Sequence, residues 1–341
     1  MKITIATPLY PPEIAEPALY IQELAKQLCT SKQITVVTYA RRGEDGVCPE
    51  VITVNKHEPL FLRLFRFGIT LWKTAAKSDV LFVESAIASA FPAVIVGKLR
   101  HIPLVLHVRE DEVRLRMKRQ GKDRVVGFRL HAMQFLQRQI LRWASKLIFP
   151  TQAFADRMQA MHGFEKKKLH IIPSPAHTPV LLPFPIEHRP QDIVFVDSPQ
   201  DEKRVRLVQS VISNVRVQFP EIRLVPLTGM SNAEMWYTRA SAGVIVFASP
   251  TEEQIEDIVD AFTAGIPVMT MASPAAKEAV KQGVSGLVFE QDTSDLEKAM
   301  RSLLADPQLQ NKLIQGGKQE LARYSWEAHL RELERIFSSV M

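Results

Sequence analysis

Residues 249–268 read SPTEEQIEDIVDAFTAGIPV, and the order of residue types in this stretch dictates what must surround it. Ile255, Ile258, Val259 and Phe262 recur at i, i+3, i+4 and i+7, which places one apolar stripe on a helix facing a core. Ser249 or Thr251 can cap its start with a short hydroxyl side chain. Gly265 can end it, and Pro267 forbids continuation. The preceding run, GVIVFAS, is continuously apolar and rich in β-branched residues, as a strand covered on both faces should be. PVMTMA follows as the next strand. Strand, helix and strand in this order make a parallel β-α-β unit, with the helix N-terminus at the carboxyl edge of the sheet, where α/β proteins bind ligands. Glu252 lies in the first turn and Asp260 eight residues on, about 12 Å along the axis. One elongated ligand crossing the helix start could meet both carboxylates. The helix dipole alone also favours acids in a first turn.

Working outward, 341 residues exceed one usual core, and two domains are expected. Hydrophobic residues make up 46% and charged residues 23%, the balance of a folded globular chain rather than a disordered one. Residues 1–180 hold 27 Lys+Arg against 15 Asp+Glu, whereas 181–341 hold 16 against 22, so the halves carry opposite net charge. The basic half suits an anionic lipid surface or an acidic acceptor. Nucleic acid is disfavoured, because no helix-turn-helix, zinc or RNP pattern accompanies the charge. The two cysteines, Cys29 and Cys48, lack CxxC spacing and suit a reduced, cytosolic setting. The apolar stretch after Lys2 is too short for a signal peptide, and the uncharged run Ser85 to Gly97 is too short for a membrane span.

The chain opens MKITIATPLYPPEIAEPALYIQELAKQLC: a buried strand, a proline-punctuated loop through Ala15 and Glu16, then an amphipathic helix with Leu19, Leu24 and Leu28. QITVVTYA supplies the next strand, a Rossmann-like start. LFLRLFRFGITLWKTAAK reads as a helix that either lies on a membrane surface or buries one side and solvates its basic residues on the other. DVLFVES and PLVLHV are further strands; His107 ends the second, and Arg109 follows within reach of the same edge. A strongly basic run, Arg114 to Lys146, leads into a long helix. The segment to Pro190 is proline-rich and aperiodic, as an interdomain linker is. DIVFVDSPQDEKRVRLVQSVISNV then restarts the strand-loop-helix pattern.

With these residues in view, the chain resembles the retaining group 1 glycosyltransferases of family 4, whose Glu-x7-Glu and Ala-Gly-x-Pro-Val elements match Glu252, Asp260 and AGIPV here. The resemblance implies a GT-B fold of class α/β: two Rossmann-like domains with parallel sheets facing across a cleft. Its parts would be an acceptor-side domain over 1–178, a linker over 179–190, a nucleotide-sugar domain over 191–320, and a C-terminal helix over 321–341 packing back toward the first domain. It implies metal-independent transfer of a sugar from a UDP- or GDP-linked donor to a hydroxyl on a lipid-linked or saccharide acceptor, without a resident cofactor, in the cytoplasm or at the inner membrane face. Glu252 would hold the sugar hydroxyls, Asp260 the ribose and Lys203 the diphosphate. His107 would stabilise charge near the anomeric centre. Ser198 falls in the donor loop, and Ala15, Glu16 and Arg109 on the acceptor side.

Three departures accompany the match. Ala15, Glu16 and Pro17 stand where the family has Gly-Gly, Asp197 and Ser198 where it has Gly-Arg, and Glu253, Gln254 and Ile255 where it has Gly-Phe-Gly. After EIRLVPLTG one β-α segment is shortened or missing, so the second domain is expected to be reduced. These departures keep open a second reading, a degenerate member serving as a binding or regulatory partner. A sugar-nucleotide epimerase is a third.

Overall fold

In a computed structural model of the protein, the residues described are 1–13, 16–39, 48–84, 87–114, 116, 124–176, 187–196, 202–227, 230, 232–248 and 254–341. The chain forms two compact units. One comprises Met1–Pro150, Ala155–Ile172 and Glu332–Met341; the other comprises Thr151–Phe154 and Pro173–Arg331. Most of the linker expected over 179–190 lies outside the described residues.

Among the described residues the first unit is built on seven strands: β1 (Lys2–Thr7), β2 (Gln33–Tyr39), β3 (Glu50–Val54), β4 (Val80–Glu84), β5 (Leu104–His107), β6 (Lys146–Phe149) and β7 (Leu169–Ile171). They lie in the order β3-β2-β1-β4-β5-β6-β7, every pair parallel. Apolar residues at successive positions on both faces explain why β1, β4 and β5 sit at the centre, since helices cover each side. The helices are α1 (Glu16–Cys29), α2 (Leu60–Thr74), α3 (Ile87–Arg100), α4 (Arg124–Trp143) and α5 (Gln152–His162). Right-handed crossovers put α2, α3 and α4 on one face, where α2 packs on α3 and α3 on α4. In α1 the buried stripe is Ala18, Ile21, Leu24, Ala25 and Leu28, while Leu19 turns outward.

Cys29 and Cys48 are joined by a disulfide, with Cα atoms 6.0 Å apart. The expectation of two reduced thiols is corrected here: the last residue of α1 and the approach to β3 come side by side, a proximity that spacing in the sequence does not reveal.

The second unit carries β8 (Arg189–Val196), β9 (Arg223–Pro226), β10 (Ala242–Phe247), β11 (Val268–Met271) and β12 (Leu287–Phe289). Among the described residues this sheet has five strands, ordered β12-β11-β10-β8-β9 and again all parallel. Its helices are α6 (Glu202–Val215), α7 (Asn232–Ser241), α8 (Gln254–Ala264), α9 (Pro274–Ala279), α10 (Thr293–Ala305) and α11 (Pro307–Glu320). Six residues after Pro226 the chain is already in α7, so the reduction expected from the sequence falls between β9 and α7. At Gly243 a Cβ would stand 2.0 Å from the Pro190 carbonyl oxygen, so only glycine lets β10 approach β8 this closely. The final helix is α12 (Trp326–Val340), whose residues from Glu332 on belong to the first unit; there Phe337 stands edge-on to Phe82 with ring centroids 5.8 Å apart, and Glu334 pairs with Lys32.

Candidate functional site

At the carboxyl edge of the first sheet, three adjacent strands end in polar residues. Thr7 ends β1, Glu84 ends β4 and His107 ends β5, with Glu84 and His107 directly opposite in register. The Thr7 hydroxyl donates to Glu84 Oε2 at 2.8 Å. Arg109 Nη1 lies 3.7 Å from Glu84 Oε1, and its guanidinium lies over the Tyr20 ring, 4.8 Å from the centroid. The His107 ring is wholly buried, 5.3 Å from Tyr20 and 6.0 Å from Phe82 between centroids. A carboxylate so thoroughly buried needs a counter-charge and hydrogen bonds, because desolvating it alone costs several kcal/mol; Arg109 and Thr7 contribute to both.

Of the residues expected here, His107 and Arg109 both lie against Tyr20, the first wholly buried and the second with 9% of its side chain exposed. Glu16 opens α1, with its side chain outside the described residues, as is Ala15 altogether. Glu84, Thr7 and Tyr20 were not anticipated. The available signal was Glu84 itself, an acid closing the apolar run DVLFVE at a strand end just as His107 closes PLVLH.

In the second unit the organising stretch folds as its pattern requires. Ile255, Ile258, Val259 and Phe262 of α8 are all buried. Gly265 takes the left-handed conformation with φ 71°. Its amide donates to the Phe262 carbonyl at 3.1 Å and that of Ile266 to the Ala261 carbonyl at 3.0 Å. This pair of bonds closes the helix and releases the chain into β11, parallel to β10. Asp260 is on α8 and buried. Lys203 lies in the first turn of α6, with its side chain outside the described residues. Ser198 and Glu252 fall outside them too.

The first turn of α8 carries Glu256 and Asp257, and a cation from the preceding helix faces the second. Arg239, in the last turn of α7, reaches Asp257 Oδ1 at 2.6 Å. The pairing satisfies both dipoles, a cation at one helix C-terminus and an anion in the first turn of the next. Burial nevertheless pushes the Asp257 carboxyl up to about 6; Arg239 opposes the rise, while Asp260 and Glu256 reinforce it. Two residue types that seemed ordinary in sequence therefore form a tuned pair beside the expected ligand-binding carboxylate.

Two family models match the chain: "Glycosyl transferase 4-like domain" over residues 17–175 and "Glycosyl transferases group 1" over residues 225–320. Sucrose-phosphate synthase from Thermosynechococcus elongatus superposes with a TM-score of 0.69 at 15% identity, over 99% of this chain and 98% of that one. HepE from Anabaena, in complex with UDP and glucose, gives 0.68 at 16% identity over 99% and 100%. WaaG, a glycosyltransferase involved in lipopolysaccharide biosynthesis, gives 0.61 at 12% identity over the full length of both chains. At such identities the likeness is one of fold. Among curated proteins, no sequence matches this chain significantly.

Proposed function

Because the chain belongs to the group 1 glycosyltransferases of the GT-B fold, we propose that it moves a sugar from a UDP- or GDP-linked donor to a hydroxyl acceptor, with retention and without a metal. The observation that carries this reading is the β10-α8-β11 unit, in which a buried Asp260 follows the first turn of α8 and AGIPV closes the helix. Support for the donor class comes from HepE, whose structures contain UDP or UDP-glucose.

In this proposal Glu252 accepts hydrogen bonds from the sugar hydroxyls and Asp260 from the ribose. Lys203 and Ser198 face the diphosphate, where negative charge develops as the sugar leaves. A fixed cation and amide groups aimed at that charge contribute most of the acceleration. His107 steadies charge near the anomeric carbon, and Ala15, Glu16 and Arg109 belong to the acceptor side, where a lipid-linked or free saccharide presents its hydroxyl. Glu84 is a positioning residue: through Arg109 it holds the rim beside His107. No resident cofactor is needed, because the nucleotide sugar is itself the substrate.

Titration calorimetry with UDP and with GDP tests the proposal. Binding in the micromolar to millimolar range is expected, weakened about tenfold or more by Lys203→Ala, as loss of a charge-assisted contact to phosphate should do. Absence of heat with either nucleotide would overturn the donor assignment.

A further inference from the structure

Helix α2 is apolar on two opposite sides. Phe67 and Leu71 are buried against the sheet, whereas Phe61, Phe65, Ile69 and Trp72, spaced four, four and three residues apart, form a stripe facing outward. Phe61 is 85% and Phe65 60% exposed. The neighbouring helices also expose large apolar side chains, Leu99 of α3 at 64% and Phe135 of α4 at 62%. A run of large exposed apolar side chains of this extent marks an interaction surface.

Charge identifies the partner. The sequences of α2, α3 and α4 together contain nine lysines and arginines and not one aspartate or glutamate. Two of those cations sit over the rings of exposed tryptophans, Arg100 over Trp72 and Lys98 over Trp143, each 3.9 Å from the ring centroid. Aromatic rings with long basic side chains laid across them are amphipathic in the way the headgroup boundary of a bilayer requires, apolar below and cationic above. We propose that the outer face of α2, α3 and α4 docks on an anionic lipid bilayer, with Phe61 and Phe65 entering the boundary between headgroups and acyl chains. A protein partner would need a matching acidic and apolar face; a bilayer supplies both in any orientation.

Vesicle sedimentation with the full chain tests this. Vesicles of phosphatidylcholine with phosphatidylglycerol should bind the protein, and vesicles of phosphatidylcholine alone should not. Raising salt from low to high should release it, since attraction to the lipid charge is screened. The double variant Phe61→Ser, Phe65→Ser should weaken binding by about tenfold or more, with circular dichroism and nucleotide binding unchanged, because both side chains are exposed. Leu99→Ser is the second, independent variant and should weaken it less. Equal binding to neutral vesicles, no binding to anionic ones, or full binding by the double variant would overturn the proposal. So would a self-associated species in sedimentation velocity that the double variant dissolves while vesicles remain unbound, which would assign the face to a second copy.

Discussion

In the first unit Glu84 and His107, which end β4 and β5, are buried, the His107 ring lies beside Tyr20 and Phe82, and Arg109, with 9% of its side chain exposed, faces Glu84. In the second, Arg239 meets Asp257 between two helix ends, both side chains partly open to solvent. Seven strands with helices on both faces provide enough covering surface to bury a glutamate with its counter-charge. In the second unit Asp260 is likewise buried, whereas Asp257 in the first turn of α8 keeps some exposure beside Arg239.

The largest test of that contrast is Glu84→Ala. Removing the buried carboxylate that faces Arg109 and accepts from Thr7 should cost about 3–5 kcal/mol in urea unfolding, whereas Glu84→Gln, which keeps the hydrogen bond from Thr7, should cost less. If both are neutral, the first edge is no more sealed than the second. A smaller effect is expected from Asp257. Its carboxyl rises from an ordinary 3.8 to about 6 on folding, so the native state holds a proton that the unfolded chain has already released. The contribution of this carboxyl to stability should therefore be fully present below about pH 4 and be lost as pH rises through 6, by about 2–3 kcal/mol. Asp257→Asn should flatten that slope; an unchanged slope would show the pair to be solvated like any surface carboxylate. The smallest effect is at Asp306, whose side chain accepts from the amides of Gln308 and Leu309 at the start of α11. Asp306→Ala should cost about 1 kcal/mol by thermal denaturation, a baseline for ordinary capping in the second unit against which the other two are read.

Local pattern made much of this legible. The buried stripe of α8, its ending at Gly265 and the parallel strands on either side follow from spacing within twenty residues, and so does the shortened passage from β9 to α7. What escaped depends on lateral neighbours. Thr7 and Glu84 are 77 residues apart and meet only because β1 and β4 lie side by side. Arg239 meets Asp257 through the angle between two helices, which periodicity does not encode. For α2 the sequence left two readings open, a helix lying on a membrane surface or one that buries one side and solvates its basic residues on the other; the structure puts aromatic rings on the exposed face. A helical wheel shows which residues share a side, but not that the neighbouring helices leave that side uncovered.

The bond between Cys29 and Cys48 spans 19 positions, and a ring of that size denies the denatured chain roughly 3 kcal/mol of configurational freedom on the loop-entropy account. Oxidation is thereby written into the energetics of the β2-β3 corner. A preparation handled in dithiothreitol and one handled in air are, at that corner, two materials with the same amino acids and different resistance to heat.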